Sequence, residues 1–502
     1  MKVKRLLLLL KKIFFIGIIL ASFILGIRLL ISVFQSGYGY QFDSDELHHA
    51  NLVYLYLHGY VPYRDIYNSF YTPLFEWLIA PAFMIFGFTF KTITFTRFIM
   101  IILLVIRMIA MYIFIKTVWS KRSALFFLPL FLLDPFLVFS GMQIRPDNFM
   151  MTVASIALAA LAVGYVKQSN KWKYVSAFLF GLSLVIFMKV VPMLVAVAIP
   201  ILFIEIREKK FRTLIGMTIA FLLPIVLFAL YGLIVGALPE MIQQIIVETR
   251  AAYQVFEYPV PFGAYNKSDN AWIFGSMGTP VSLVYEWILP MLGAAGCFHV
   301  IHNLLTHKEK PIFGTLKAIC CILLIVQEIV IFNVPSVFLQ HYLMLNWLYA
   351  LFGAVAFDAI LTACNKNFAG FFITSCILFI SFTVLTTKSI SFNIGRGTIK
   401  NPAIIAESET RWSQIPENEP IFPGYLFRPS VYPVPYGYYI GNIPASVFAR
   451  LPSIPDTLEK HQLKHLILDD YTMVRLPQNA QVYITSHYTR VPGDNELMTR
   501  NP

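Results

Sequence analysis

Residues 41–77 read QFDSDELHHANLVYLYLHGYVPYRDIYNSFYTPLFEW and directly follow the first long apolar segment of the chain, residues 6–33. Three carboxylates, Asp43, Asp45 and Glu46, stand where the chain leaves that apolar segment. A charged side chain at the centre of a bilayer costs about 2.5–3.5 kcal/mol on insertion scales, so charges beside a membrane-spanning segment invite a functional interpretation. We therefore treat this stretch as the centre of the candidate site.

The composition is that of a membrane protein. The chain has 502 residues, of which 58% are hydrophobic and 13% charged, and its mean hydropathy is +0.68. The net charge of +12 comes from basic residues in short loops between apolar segments. This distribution is typical of membrane topology and not of a nucleic-acid-binding face. The five cysteines lie in apolar segments without a CxxC pair, so no metal cluster is indicated.

The apolar segments predict an α-helical polytopic membrane protein, because about 20 apolar residues cross a bilayer. We expect about 11 spans, at residues 6–33, 97–116, 122–140, 148–166, 173–188, 190–206, 212–235, 280–303, 312–333, 338–361 and 368–386. The first is expected to remain uncleaved, because it is too long for a signal peptide and carries Arg28.

The apolar segment 72–90 is predicted to lie in the outer interface and not to cross. Only then do the basic loops share one side, which the positive-inside rule makes cytoplasmic, together with the N-terminus. The residues of that side are Lys2, Lys4, Arg5, Lys11, Lys12, Lys116, Lys121, Arg122, Lys167, Lys171, Lys173, Arg207, Lys209, Lys210, Arg212, Lys308, Lys310 and Lys366.

Two domains are predicted. Residues 1–386 form the membrane domain, with a first outer loop at 35–96 and a large outer loop at 236–278. Residues 387–502 are polar, proline-rich and aromatic, and we expect a small extracytoplasmic α/β domain there. Its strand-like segments are 420–427, 465–473 and 480–491, around a helical segment at 451–462.

Polar residues of four separate turns fall on the predicted outer face. They are Asp45 and Glu46, then Arg145 and Asp147, then Lys189, and finally His341 and Tyr342. A carboxylate can act as general base toward a hydroxyl, and Lys or Arg can hold a phosphate leaving group. Each group alone also has a plain structural reading, but their convergence suits the transfer of a sugar from a lipid phosphate to an acceptor.

Several motifs resemble the integral-membrane glycosyltransferases of the C superfamily, and family 39 and its bacterial cousins in particular. Those include the protein O-mannosyltransferases, the aminoarabinose transferase of lipid A and lipopolysaccharide core transferases. The motifs are the Asp45-Glu46 pair, Gly59-x-x-x-Tyr63-x-Asp65, TPLFEWLIAPAFMIFG at 72–87, RPDNFMM at 145–151, FMKVVPML at 187–194 and FLQHYLMLNWLYA at 338–350.

The resemblance implies an inverting transferase that uses a polyprenyl-phosphate-linked sugar. Asp45 would be the base, with Glu46 beside it, Asp147 the second acidic group and Lys189 a contact of the donor phosphate. Arg145 and Arg64 are added as phosphate-binding residues from their charge and side, and Asp43 is a rival of Asp45 for the base. His49, Tyr63, Asp65, His341 and Tyr342 are expected to line the site.

One departure from the family concerns the residues before Pro73. Relatives such as the aminoarabinose transferase have Glu-Lys where this chain has Tyr71-Thr72, which removes a phosphate contact and a metal ligand. We expect no cofactor and no metal. The alternative is a divalent ion held by His48, His49 and His341 with Glu46.

The expected partners are a polyprenyl-phosphate sugar, a glycan, lipid or protein acceptor, and membrane lipids. The expected location is a bacterial plasma membrane with the site facing outside, and the endoplasmic reticulum is the alternative. A transporter or flippase is a second reading, but it would need inverted repeats and charges near mid-membrane. A polymerase or ligase is a third, which paired arginines in the large outer loop would favour. Residues 236–278 contain a single arginine, Arg250, and therefore do not support that third reading. The sequence does not identify the sugar or the acceptor.

Overall fold

The computed structural model describes residues 2–39, 42, 44–68, 71–134, 137, 141–248, 288–306, 311–333, 343–364, 368–397, 401–416, 419–422 and 449–502. The α-helices are α1 (Lys2–Gly39), α2 (Ser44–Leu57), α3 (Leu74–Phe86), α4 (Phe90–Val118), α5 (Lys121–Leu132), α6 (Pro146–Val166), α7 (Asn170–Ile186), α8 (Val191–Arg207), α9 (Phe211–Ile234), α10 (Leu238–Ile242), α11 (Leu289–Thr306), α12 (Pro311–Asn333), α13 (Leu343–Cys364), α14 (Phe368–Gly397), α15 (Asn401–Ser413), α16 (Ile454–Lys460), α17 (Asp470–Met473) and α18 (Gln478–His487). A 3₁₀ turn at Met188–Val190 precedes α8, and a π-helix at Gln243–Val247 continues α10. The strands are β1 (Ile421–Phe422), β2 (His465–Ile467), β3 (Tyr488–Arg490) and β4 (Leu497–Arg500).

Nine helices in the described part of the chain are long and apolar enough to cross a membrane. They coincide with nine of the predicted spans, so the prediction of a polytopic α-helical membrane protein is confirmed. The other two predicted spans, 122–140 and 173–188, fall on α5 and α7, which have 12 and 17 residues. Residues 135–136 and 138–140, which follow α5, are outside the described part.

The segment 72–90 contains α3, which has only 13 residues. A helix of this length rises about 20 Å, which is too short for the hydrocarbon core of a bilayer. The length of α3 therefore agrees with the expectation that this segment does not cross. The orientation of the spans in the membrane remains a prediction.

The segment predicted as the first outer loop packs onto the ends of the membrane helices. A buried cluster of apolar side chains joins α2 and α3 to the start of α4 and to the turn before α6. Its members include Phe42, Phe75, Ile79, Phe83, Ile93 and Ile144. Glu46, near the start of this loop, is thus set into a packed layer and not into a solvated loop.

The C-terminal part forms a four-stranded sheet in the order β1-β2-β4-β3, with β1 and β2 parallel and the other pairs antiparallel. The expected small α/β unit is therefore present. The prediction of a strand at 480–487 is wrong, because α18 covers those residues. Ala480 and Ile484 are fully buried while Val482 is 61% exposed, which is the four-residue spacing of a helix face.

The predicted domain boundary at residue 386 falls inside α14, which continues to Gly397. This helix packs along α1, and the Asn393 side-chain amide donates a hydrogen bond to the Ser32 hydroxyl at 3.0 Å. The last membrane helix therefore extends into the segment that the sequence assigned to the outer domain.

We predict that Gly181→Ala destabilises the protein because of a close approach between α7 and α9. A Cβ atom on Gly181 would lie 2.0 Å from the carbonyl oxygen of Phe221. Backbone atoms must move to relieve such a contact, and overpacking of this kind typically costs about 1–3 kcal/mol. The measurement is the thermal unfolding temperature of the purified protein in detergent.

Gly17→Ala in α1 is the matched control, since no atom lies within 4 Å of its added Cβ. It should leave the unfolding temperature unchanged or raise it slightly, because Ala favours a helix over Gly. Equal unfolding temperatures for the two variants would contradict the close packing of α7 on α9.

Candidate active site

Asp45 forms an ion pair with Arg145. Asp45 lies in the first turn of α2, and its Oδ2 is 2.5 Å from Nη1 of Arg145. Arg145 precedes Pro146, the first residue of α6, and has an extended backbone, as residues before proline generally do. The Nε of Arg145 donates to Oε1 of Gln143 at 2.9 Å, which fixes the plane of the guanidinium. The Asp45 side chain is 24% exposed, so this pair can be reached from outside.

Asp147 forms a second ion pair with Lys189. The Nζ of Lys189 is 3.0 Å from Oδ1 of Asp147 and 4.8 Å from the centre of the Phe187 ring. Asp147 lies in the first turn of α6, where the helix dipole stabilises a negative charge. Lys189 belongs to the 3₁₀ turn between α7 and α8. The break between these two helices therefore brings the lysine to the start of α6.

The two ion pairs share one turn of the chain. Arg145 and Asp147 are two residues apart, so their Cα atoms are at most about 7 Å apart. Four of the predicted site residues, Asp45, Arg145, Asp147 and Lys189, are thus brought together from three separate segments. Two acidic and two basic groups thus lie at the ends of helices, and Asp45 and Lys189 are partly exposed.

The structure places Glu46 differently from its neighbour Asp45. Glu46 is fully buried, and both of its oxygens accept hydrogen bonds from Arg97, at 2.8 and 2.5 Å. Its Oε1 also accepts the N–H of Ile144 at 3.1 Å. Successive residues of a helix point about 100° apart, so Glu46 points inward where Asp45 points toward Arg145. These contacts favour a positioning role for Glu46 over the catalytic role expected from the sequence.

Arg97 was not among the candidates, although it is one of the largest fully buried side chains. Besides Glu46, its Nη1 donates to the carbonyl oxygens of Gly37 and Tyr38, at 3.0 and 3.2 Å. It thus ties the end of α1 to the start of α2. One signal in the sequence could have identified it, because Arg97 is a charged residue at the first position of the predicted span 97–116. The free-energy cost of such a charge near a membrane is usually offset by an oppositely charged partner.

His49 is hydrogen-bonded to Glu76, with Nδ1 2.6 Å from Oε1, and both side chains are buried. The ring of His49 also contacts the edges of Tyr71 and Phe75. This pair joins α2 to α3 and was not predicted. Within the described residues no group of three His, Cys, Asp or Glu side chains is arranged to hold a metal ion.

Tyr71 and Thr72 lie beside the turn that carries Lys189. The Tyr71 ring stacks on that of Phe187, with centres 5.6 Å apart and an angle of 18° between the planes. The Thr72 hydroxyl donates to the carbonyl oxygen of Ile186 at 2.8 Å. Tyr71 and Thr72 therefore border the predicted phosphate-binding lysine.

Arg64 and Asp65 form a separate ion pair. Both guanidinium bonds to Asp65 are 2.8 Å long, and Nη1 of Arg64 donates to the carbonyl oxygen of Val235 at 3.0 Å. The hydrogen bonds from Arg64 lower the pKa of Asp65. The contacts found for Arg64 in the described part of the chain are thus with Asp65 and Val235 and not with the two ion pairs, although the sequence suggested a role at the phosphate.

Tyr63 is buried and supports the backbone at Tyr71. Its backbone φ is +67°, a strained value for an aromatic residue, and its hydroxyl donates to the carbonyl oxygen of Tyr71 at 2.7 Å. Burial raises the pKa of Tyr63 well above its ordinary value, so the hydroxyl keeps its proton. Tyr63 therefore holds Tyr71 in place. Asp43, His341 and Tyr342 lie outside the described residues.

The segment after α9 joins the first outer loop to the C-terminal part. Gln244 accepts the N–H of Asn68 at 2.9 Å and donates to the carbonyl oxygen of Tyr63 at 3.2 Å. Arg450 pairs with Glu240 and Glu248, each at 2.6 Å. The contacts of Gln244 thus pack this segment against one side of the loop that contains Tyr63 and Asn68.

A family model described as dolichyl-phosphate-mannose-protein mannosyltransferase matches residues 71–231, which is less than half of the chain. No curated protein matches the chain at a significant level. The matched region includes the second outer turn with Arg145 and Asp147, and the turn with Lys189.

Solved structures share the fold over nearly the whole chain. ArnT from Cupriavidus metallidurans, bound to undecaprenyl phosphate, is 13% identical with a TM-score of 0.62, covering 95% of this chain and 97% of ArnT. The Archaeoglobus fulgidus oligosaccharyltransferase tethered with an acceptor peptide is 11% identical with a TM-score of 0.55, covering 95% and 74%. The same archaeal enzyme, AglB, with an inhibitory peptide and a dolichol-phosphate is 10% identical with a TM-score of 0.52, covering 95% and 74%.

These findings confirm the resemblance inferred from the motifs. The chain has the fold of ArnT and of the archaeal oligosaccharyltransferase. The family model that matches is that of a glycosyltransferase, which is the enzyme class expected from the sequence.

We predict that Glu46→Gln lowers stability, because it leaves the Arg97 guanidinium buried without its counter-charge. Breaking a buried pair in this way typically costs about 3–5 kcal/mol. The double variant Glu46→Gln/Arg97→Gln removes both charges and should unfold at a higher temperature than the single variant. Thermal unfolding in detergent measures both. A Glu46→Gln protein with the wild-type unfolding temperature and no activity would instead assign Glu46 to the chemistry.

Proposed function

We propose that this protein is an inverting glycosyltransferase that moves a sugar from a polyprenyl-phosphate donor to an acceptor on the outer side of the membrane. The observation that carries the proposal is the pair of ion pairs, Asp45–Arg145 and Asp147–Lys189, at one turn. Acidic groups suited to an acceptor hydroxyl lie there beside basic groups suited to a phosphate. Both kinds of group are required when a sugar leaves a phosphate for a hydroxyl.

In the proposed step, Asp45 accepts the proton of the acceptor hydroxyl through its carboxylate. The hydroxyl oxygen attacks the anomeric carbon from the face opposite the phosphate and forms the new glycosidic bond. The bond between the anomeric carbon and the phosphate oxygen breaks, and polyprenyl phosphate leaves with the electron pair. Lys189 and Arg145 stabilise the charge that the phosphate gains. Attack from the opposite face inverts the anomeric centre.

A lipid-linked donor suits the position of these residues. Asp147 and Lys189 lie at helix ends, so a phosphate can reach them at the membrane surface while its lipid chain stays among the helices. The similar structures support this choice of ligand, since ArnT holds undecaprenyl phosphate and AglB a dolichol-phosphate. The tethered acceptor peptide of the archaeal enzyme supports an acceptor at the same kind of site.

The protein is a multi-pass membrane protein, and we propose a bacterial plasma membrane with the site facing outward. The basic loops that the sequence assigns to the cytoplasmic side support this orientation. Both ion pairs lie at the opposite ends of those helices, since Asp147 starts α6 and Lys167 follows its end.

We predict that Asp45→Asn abolishes turnover, because an amide cannot accept the proton. General base catalysis contributes about 10²–10⁴ in rate. The assay uses purified protein in lipid with a panel of labelled polyprenyl-phosphate sugars and crude cell-envelope acceptors, and it follows the release of polyprenyl phosphate. The variant should unfold at the wild-type temperature.

Asp470→Asn is the matched control, since Asp470 pairs with Arg490 at the exposed surface of the C-terminal part. It should turn over like the wild type. Normal turnover by Asp45→Asn would contradict the assignment of the base. No release from any donor by the wild type would move the interpretation to a transporter.

We predict that Lys189→Ala chiefly weakens donor binding. A hydrogen bond to a charged group contributes about 1.5–3 kcal/mol, so the Kd for undecaprenyl phosphate should rise about tenfold or more. Lys210→Ala, which breaks the exposed pair with Glu208, is the control and should bind like the wild type. An unchanged Kd for Lys189→Ala would remove this lysine from the phosphate site.

A further inference from the structure

We infer that the donor phosphate exchanges partners with Asp45 and Asp147, so that donor binding releases the base. In the absence of donor, Asp45 and Asp147 form ion pairs with the two cations, Arg145 and Lys189, that are proposed to bind the phosphate. Arrival of the phosphate draws Arg145 and Lys189 onto its own oxygens and leaves Asp45 and Asp147 to the acceptor. This inference rests on the proposed function and assigns an order to it, with the donor first.

The first support is the pattern of the contacts. The two cations proposed for the phosphate are Arg145 and Lys189, and each is bonded to one of the two proposed catalytic acids, at 2.5 and 3.0 Å. A phosphate and a carboxylate present the same kind of charged oxygen to a guanidinium or ammonium group. The carboxylates therefore bind the same cationic groups that the phosphate is proposed to bind.

The second support is that both cations have a neighbour that does not depend on the carboxylate. The guanidinium of Arg145 is held by Gln143 at 2.9 Å, and the ammonium of Lys189 lies over the Phe187 ring at 4.8 Å. These two neighbours keep the cations in position when their carboxylate partners are exchanged. Gln143 and Phe187 are thus positioning residues for the phosphate site.

The third support is the contrast with the Glu46–Arg97 pair. Both side chains of that pair are fully buried, and the guanidinium also donates to two backbone carbonyls. A ligand cannot reach it without unpacking the loop. In the exchangeable pairs, by comparison, one member is partly exposed, Asp45 at 24% and Lys189 at 14%, while Arg145 and Asp147 are 8% and 4% exposed. The same region therefore contains one fully buried pair and two pairs that a ligand can reach through one member.

The exchange has a consequence for the chemistry. A carboxylate bonded to a guanidinium is stabilised in its ionised form and accepts a proton less readily. An acceptor that arrives first finds Asp45 occupied, and its hydroxyl keeps its proton. Once the phosphate holds Arg145, the carboxylate can take that proton, so the base acts only when the sugar is in place.

The test is a double-mutant cycle on the binding of undecaprenyl phosphate to the purified protein in nanodiscs. Asp45→Asn removes the carboxylate that competes with the phosphate for Arg145, and we expect about a tenfold lower Kd than in the wild type, equivalent to about 1.4 kcal/mol. Arg145→Gln raises the Kd. In the double variant Asp45→Asn/Arg145→Gln, the Kd should equal that of Arg145→Gln alone, because the cation for which Asp45 competes is already absent.

The cycle separates exchange from simple repulsion between Asp45 and the phosphate. Repulsion alone would make Asp45→Asn tighten binding equally with and without Arg145, and that additive result would overturn the inference. Asp470→Asn is the control for loss of one carboxylate from an Asp–Arg pair and should leave the Kd unchanged.

The same measurements distinguish a failure of the inference from a failure of the proposed function. If the wild type binds undecaprenyl phosphate and the cycle is additive, only the exchange is wrong. If the wild type does not bind undecaprenyl phosphate, the proposed function is wrong as well. A parallel titration with inorganic phosphate identifies the source of the anion, because binding as tight as that of the lipid would contradict a lipid-linked donor.

Discussion

The buried ion pair between Glu46 and Arg97 is the contact on which the outer face of the protein depends. Arg97 reaches from the first helical turns of α4 to both oxygens of Glu46 and to the carbonyls that end α1. Glu46 in turn accepts the N–H of Ile144, next to Arg145. Three segments that are far apart in the sequence are thereby fixed to each other at one point. Since a buried charge is costly without its partner, this arrangement has little freedom to rearrange.

That fixed point sets the direction of its neighbour. Because Glu46 must point at Arg97, the helix that begins at Ser44 has a defined rotation, and Asp45 points about 100° away. The same contact holds the backbone of Ile144, so Arg145 stands where it meets Asp45. Adjacent carboxylates in the sequence thus serve two different ends. One is buried and holds the scaffold, and the other is accessible and available to a ligand.

The sequence predicted the spans well, and it named four charged residues that the structure brings together, but it did not predict the side chains with which the buried charges pair. Spans are predictable because each needs about 20 apolar residues, which hydropathy registers locally. Asp45, Arg145, Asp147 and Lys189 were found because charges beside apolar segments stand out. The pairing of Glu46 with Arg97 depends on helix rotation and on packing between distant segments, which no local pattern encodes. The missed helix Gln478–His487 has the same cause, since only the burial of Ala480 and Ile484 against the sheet separates a helix from a strand there.

The break between α7 and α8 explains how a lysine can serve this site at the edge of a membrane. α7 ends before Phe187, whose backbone is extended, and Pro192 at the start of α8 cannot continue the hydrogen bonding of α7. In an unbroken helix Lys189 would project from a spanning segment, where an isolated charge is costly. The break instead turns it over the Phe187 ring toward Asp147, which starts α6. A charged group at the break between two helices is therefore held by one opposite charge and one aromatic face, and this is the position at which the proposed function requires a cation for the donor phosphate.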